Sequence, residues 1–252
     1  MFTLAPSVYA ADHTNLRSQI RLLEESGVTC LHVDVMDGKF VQLRAFGPET
    51  VEMLRKYTDL KLDVHLMVED PERQLEAFAA VGTDSLTVHF EACASPLEVL
   101  RKIHSLGMEA GLAIAPCTLP AELGRELWDE MDVLHVMTKN PGRDGQHFIP
   151  EMYDRVRCAK ELISAGQRPV RIEVDGDITP ERLRPIMSAG AEIIVVGGAL
   201  FEGDIRQNVR TYMETGMSVS PISSRNRSEE AYIGENRLQE ETSAAEEGEI
   251  TA

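Results

Sequence analysis

Short apolar segments alternate with longer amphipathic segments along most of the chain. Eight apolar segments have the length and the β-branched content that are typical of buried strands. The predicted strands are Thr3–Val8, Thr29–Val35, Lys61–Met67, Ser85–Phe90, Glu109–Ile114, Val133–Met137, Arg171–Val174 and Ile193–Val196.

Eight segments with helical periodicity lie between or after these strands. Prolines begin several of them, which suits a first helical turn, and Asp12 and Thr179 are predicted N-cap residues. The predicted helices are Asp12–Glu25, Pro48–Lys56, Pro71–Ala80, Pro96–Ser105, Leu119–Leu127, Pro150–Ala165, Pro180–Ala189 and about Asp204–Met213.

This order of strands and helices predicts one α/β domain, a (β/α)8 TIM barrel over residues 1–216. A doubly wound open sheet is the alternative, but it usually carries a glycine-rich segment after its first strand. Here Ser7–Asp12 follows that strand without a glycine. Residues 217–252 are rich in glutamate and poor in large apolar residues, which predicts an acidic, disordered C-terminal tail.

Composition narrows the classes of partner. The formal net charge of -17 argues against binding to nucleic acid or to an anionic membrane surface. No apolar run is long enough to span a membrane, and the N-terminus lacks the pattern of a signal peptide. Four widely spaced cysteines without a CxxC motif suit free thiols in a cytoplasmic protein.

Polar residues stand where several predicted strands end. The carboxyl ends of barrel strands meet at one mouth, so His32, Asp34, His65 and Asp175 are expected to lie close together. Imidazole and carboxylate ligands together suit one divalent Zn, Fe, Mn or Co ion. Two of these residues also have a simpler interpretation. His65 alone could be a core histidine, and Asp175 alone could be a turn residue before Gly176.

Other polar and polarisable residues share these strand ends. His89 is predicted to be a hydrogen-bonded wall residue, with a fifth metal ligand as the alternative. Glu173 has the parity of an interior residue, where a carboxylate needs a partner. Three methionines are expected to be core residues or an apolar cap over a substrate, namely Met36, Met67 and Met137.

Glycine-rich loops follow the last three predicted strands. They are Asn140–Gln146, Asp175–Asp177 and Gly197–Ala199. Barrels often bind phosphate with the loops after strands seven and eight, and glycine permits a close backbone approach. The joint placement predicts a phosphate site, although each glycine alone could serve only a turn.

Several segments together resemble the ribulose-phosphate 3-epimerase family, in order from about Leu4 to Tyr212. The most specific are HVDVMDG, DVHLMV and IEVDG, which begin at His32, Asp63 and Ile172. The others are Gly111–Ile114, Val136–Gly142 and Gly197–Phe201. The resemblance implies a (β/α)8 barrel and a metal-dependent isomerase of the pentose phosphate pathway that inverts C3 of D-ribulose 5-phosphate through a cis-enediolate.

The resemblance also implies residue roles. His32, Asp34, His65 and Asp175 would hold the metal, and Asp34 and Asp175 would exchange the proton as acid and base. The family often forms oligomers, so a homo-oligomer is expected. The implied substrate-binding residues are Ser7, His65, Met36, Met67, Met137, Gly142, Arg143, Asp144, Gly145, Gly176, Asp177, Gly197 and Gly198.

Departures from the family pattern cluster in the predicted phosphate loops. Arg143 and Asp144 replace the usual Phe and Gly, Asp177 replaces a Gly, and Gly198 replaces a Ser. Asp177 would place negative charge beside a phosphate unless Arg143 or a shift compensates. A hexulose or tetrulose phosphate substrate and a non-catalytic sugar-phosphate-binding paralogue are therefore alternatives. The acidic tail leaves a third alternative, a scaffold whose tail recruits partners.

Overall fold

The chain folds into the predicted TIM barrel, seen in a computed structural model that describes residues 2–143, 145–166 and 168–219. From residue 220 onward the predicted acidic tail lies outside the described residues. The described strands are β1 Thr3–Pro6, β2 Cys30–Asp37, β3 Arg44–Ala45, β4 Lys61–Met67, β5 Ser85–His89, β6 Glu109–Ile114, β7 Val133–Met137, β8 Arg171–Asp175 and β9 Ile193–Val196.

Parallel pairing closes eight of these strands into a barrel. The sheet order is β1-β9-β8-β7-β6-β5-β4-β2-β3. A parallel bridge between Ser7 and His32 joins the end of β1 to β2 and completes the ring. The short strand β3 is extra, because it pairs antiparallel with the end of β2 through Met36 and Ala45.

Helices follow the barrel strands and cover the outside of the sheet. They are α1 Leu16–Glu25, α2 Pro48–Arg55, α3 Leu75–Ala80, α4 Pro96–Ser105, α5 Arg125–Glu130, α6 Met152–Ala165, α7 Pro180–Ala189, α8 Gly198–Phe201 and α9 Ile205–Met217. None of the described helices combines the length and the hydropathy needed to cross a bilayer.

Some predicted helix starts were wrong. Helix α1 begins at Leu16 rather than Asp12, because the Asp12 carboxylate instead accepts hydrogen bonds from Thr14, including its backbone N–H at 3.0 Å. The predicted third and fifth helices each begin with a separate 3-10 turn, at Pro71–Arg73 and Pro120–Glu122. Prolines therefore start tight turns there, and the α-helices follow.

Strand alternation divides the core into two parts. In β2, Leu31, Val33 and Val35 belong to the large apolar cluster that also contains buried helix residues, and each such side chain contributes about 1.5–3 kcal/mol by burial. His32 and Asp34 project to the opposite face, into the barrel. The interior therefore carries buried polar groups, and the outer apolar core fixes where they stand.

Candidate active site

Four side chains from three strands converge at the carboxyl end of the barrel. Asp34 Oδ1 lies 3.4 Å from His32 Nε2 and 3.4 Å from His65 Nδ1. Asp175 joins them at the end of β8, and one ligand atom from each of the four lies within 4.8 Å of the others. The residues that the sequence proposed as metal ligands are thus brought together.

Three atoms of this cluster have no hydrogen-bond partner among the described residues. They are His32 Nε2, Asp34 Oδ1 and His65 Nδ1, and all are buried. An unpaired buried polar atom is costly, so a group that accepts lone pairs from all three fits the site. Two imidazoles and two carboxylates form a donor set that suits a divalent transition metal.

A carboxylate holds His32 from behind. Asp63 Oδ2 lies 2.7 Å from His32 Nδ1, and Glu173 Oε1 lies 3.4 Å from the same nitrogen. A carboxylate on one ring nitrogen directs the other nitrogen towards a metal. Sequence reasoning missed Asp63, although it shares the strand face of His65 and this parity is the signal that could have found it.

His65 is held by a second chain of polar groups. Its Nε2 lies 2.9 Å from His89 Nε2, and His89 Nδ1 lies 3.1 Å from Glu91 Oε2. Burial raises the pKa of Glu91, but hydrogen bonds from His89, Thr118 and the Ala115 N–H outweigh it and lower that pKa to about 2. His89 is thus placed behind His65, outside the four-residue cluster.

The two aspartates of the cluster differ electrostatically. Burial and the charge of Asp34 raise the pKa of Asp175 to about 7. Burial also disfavours the ionised form of Asp34, but His32 and His65 outweigh it and hold the pKa of Asp34 well below its usual range. Ser7 Oγ donates a 2.5 Å hydrogen bond to Asp34 Oδ2. Two carboxyl groups with such different proton affinities suit acid and base roles.

A cavity of about 480 Å³ opens above the two aspartates. Of the residues that the sequence proposed for substrate binding, those that line the cavity are Ser7, Met36, Met67, Met137, Gly142, Arg143, Asp177, Gly197 and Gly198. His65 lies fully buried beneath the cavity, and Gly145 and Gly176 are not part of its lining. Asp144 lies outside the described residues.

Asp177 lines the cavity, but its carboxylate is paired with a cation. Its Oδ2 accepts hydrogen bonds from Arg182 at 2.6 Å and from the Phe148 N–H at 3.2 Å. The compensating charge therefore comes from Arg182 rather than Arg143. Gly142 has a φ of 55°, and a Cβ there would lie 2.3 Å from Val41 Cβ, so only glycine fits this turn.

Charged cavity residues were also missed by the sequence reasoning. Lys139 and Glu202 both line the cavity. Lys139 stands two residues after Met137 and directly before the Asn140–Gln146 loop that was proposed for phosphate, and this position was the available signal. Glu202 follows α8, which was not predicted because it has only four residues.

Comparison with known proteins identifies relatives of the whole barrel. Residues 3–201 match the model of the "Ribulose-phosphate 3 epimerase family". The ribulose-phosphate 3-epimerase of Bacillus subtilis is 39% identical over 202 residues, which cover 80% of this chain and 93% of that protein. The enzyme of the same name from Rhodobacter capsulatus is 40% identical over 200 residues, which cover 79% and 86%.

Solved structures with low sequence identity share the fold. A mutant tryptophan synthase α-subunit from Pyrococcus furiosus superposes with a TM-score of 0.62 at 18% identity, covering 87% of this chain and 100% of that one. Thiamine phosphate pyrophosphorylase from the same organism gives a TM-score of 0.60 at 15% identity, covering 87% and 98%. At such identities the likeness concerns the fold alone.

Proposed function

Because this chain belongs to the ribulose-phosphate 3-epimerase family, a family of isomerases, we propose that it interconverts D-ribulose 5-phosphate and D-xylulose 5-phosphate. The observation that carries this proposal is the convergence of Asp34 and Asp175 on one cavity. Two strands, β1 and β9, separate β2 from β8 in the ring, so the two carboxyl groups reach the mouth from different sides. A flat sugar intermediate fits between such groups.

Inversion at C3 needs a proton to leave one face of the sugar and another to arrive on the opposite face. One aspartate removes the C3 proton as a base, and the other delivers a proton as an acid. Ser7 holds Asp34 through its hydroxyl and fixes the carboxylate orientation. The intermediate is a cis-enediolate, and the three methionines that line the cavity exclude water from it.

His32, Asp34, His65 and Asp175 would hold a divalent Zn, Fe, Mn or Co ion. Such an ion supplies Lewis-acid stabilisation for negative charge that develops on the substrate oxygens. The protein's own part is to present the ligand atoms, and Asp63 and His89 do so by holding the two imidazoles.

Deuterium exchange tests the proposed reaction directly. Purified protein is assayed for bound metal and is then incubated in D₂O with ribulose 5-phosphate, and NMR follows deuterium at C3 and the formation of xylulose 5-phosphate. We expect both to occur together. Binding of the sugar phosphate without wash-in at C3 would instead favour a non-catalytic paralogue.

One observation favours a second class of substrate, the hexulose and tetrulose phosphates. The outer end of the cavity, which is formed by the loops after the strands, carries several charged side chains. Lys139, Arg143 and Glu202 line this end, and Asp177 is paired with Arg182. The same exchange assay with hexulose and tetrulose phosphates separates the substrates, because the proposed pentulose phosphate should have the highest kcat/KM. The cytoplasmic location and the homo-oligomer stay predictions.

A further inference from the structure

Lys139 is a charged cavity residue that lies beside the loop after β8. Thr138 ties the loop that follows β7 to the end of β8, because its N–H donates to the Asp175 carbonyl at 2.7 Å and its hydroxyl donates to the Gly176 carbonyl at 2.5 Å. Lys139 follows at once, so these bonds fix its backbone beside the loop that carries Gly176.

The Lys139 side chain runs across the glycine. A Cβ atom at Gly176 would lie 2.7 Å from Lys139 Cγ, so this close approach requires that no side chain be present there. The residue is half-buried and lines the cavity together with Gly142 and Gly197. The stem therefore lies against the loop after β8, at the wall of the cavity.

Lys139 has no ion-pair partner among the described residues, whereas Arg182 pairs with Asp177. The charge of Lys139 also acts on Asp175, whose pKa it lowers against the larger effects of burial and Asp34. On the other side, a Cβ at Gly198 would lie 3.7 Å from Glu202 Oε1, so a carboxylate borders the predicted phosphate position. A phosphoryl dianion placed there needs a nearby cation to offset that charge.

We propose that Lys139 is a specificity-determining residue whose ammonium group binds the substrate's phosphoryl group and offsets Glu202. This inference deepens the proposed function and rests on it for the identity of the sugar. Lysine suits the role because it acts as a compact point charge with three donors, whereas backbone N–H groups alone carry no formal charge.

Titration calorimetry with inorganic phosphate tests Lys139 without any turnover. Lys139→Met keeps the apolar stem over Gly176 and removes the charge, and we expect the phosphate Kd to rise about tenfold. Lys139→Arg should retain the affinity within about threefold, because it restores a cation. Lys56→Met is the matched control, since Lys56 is an exposed lysine directly after α2 that pairs with Glu52.

Glu202→Gln leaves Lys139 unchanged and should alter the phosphate affinity in the opposite direction. Removing this carboxylate should lower the phosphate Kd about twofold to fivefold, as expected for one exposed charge. A phosphate Kd that is unchanged by Lys139→Met, or a wild-type protein that binds no phosphate, would overturn the assignment. The same holds if Glu202→Gln weakens the binding.

Kinetics separate this inference from the proposed reaction. In Lys139→Met the KM for ribulose 5-phosphate should rise in parallel with the phosphate Kd, and kcat should change much less. An inactive wild type that still binds phosphate through Lys139 would refute the epimerase and leave the lysine's role standing. An active wild type whose phosphate affinity is unchanged by Lys139→Met would support the epimerase and refute the role of Lys139.

Discussion

The two ends of the cavity are built in different ways. At the inner end, His32, Asp34 and His65 come from strands, are buried and are held by other buried side chains. At the outer end, Lys139 and Arg143 come from loops, and Arg143 is exposed. Strands fix positions within a fraction of an ångström, whereas loops accept substitutions readily. On the proposed function, the inner end carries the chemistry and the outer end selects the substrate.

The largest expected effect comes from removing the carboxylate at the centre of the inner end. Asp34→Ala deletes the oxygen that faces both imidazoles and the partner of Ser7. We expect loss of bound metal, and C3 exchange should fall by at least about three orders of magnitude. Elemental analysis and deuterium wash-in measure the two effects.

Phosphate binding is the control for that variant. If the two ends act separately, the calorimetric Kd for phosphate should stay within about twofold of the wild-type value in Asp34→Ala, because additivity holds for sites that share no partners. A large loss of phosphate affinity would break the division between the two ends.

A smaller effect on metal affinity is expected from a residue that does not face the metal site but supports one of its ligands. Glu91→Gln removes the charge that orients His89, which in turn faces Nε2 of His65. Metal affinity should fall about tenfold to a hundredfold, as found when the hydrogen-bond partners of metal ligands are removed. Competition with a chelator measures it, and Glu76→Gln, which alters an exposed glutamate paired with Lys102, is the control. Equal affinities in the two variants would show that Glu91 has no orienting role.

The smallest expected effect is on stability, and it should differ between two glycines at the outer end. Gly142→Ala introduces a clash with Val41 at a φ of 55° and should lower the free energy of unfolding by about 1–3 kcal/mol. Gly198→Ala meets no atom closer than 3.7 Å and should change it by less than about 1 kcal/mol. Denaturant unfolding measures both, and equal losses would contradict the assigned packing.

The sequence predicted the barrel strands well, because burial determines the pattern of apolar residues along each strand. Six of the eight predicted strands match the observed ones to within one residue at each end. Short apolar segments such as Lys61–Met67 are removed from water when they form buried strands of a sheet. The strand β3 was missed, because two residues carry no periodicity and their pairing with Met36 and Asp37 is set by tertiary register. Asp12 was misassigned because its local bonds to Thr14 compete with helix capping.

The candidate site was predictable where strand ends decide it. His32, Asp34, His65 and Asp175 follow from strand parity and from the geometry of the barrel mouth. Contacts that depend on three-dimensional placement were not, because no local pattern reveals them. The pairing of Asp177 with Arg182 and the approach of Lys139 to Gly176 are such contacts. Asp63 behind His32 differs, because its strand parity could have indicated it.

The most direct measurement of the central claim is the conversion of ribulose 5-phosphate to xylulose 5-phosphate by Asp175→Asn, with bound metal determined on the same sample. Asparagine keeps the size of the side chain but can neither accept nor deliver the proton. The two-aspartate account predicts that metal remains bound while inversion at C3 is abolished, because Asp34 alone can exchange a proton on one face of the sugar only. Formation of xylulose 5-phosphate at the wild-type rate in this variant would contradict it.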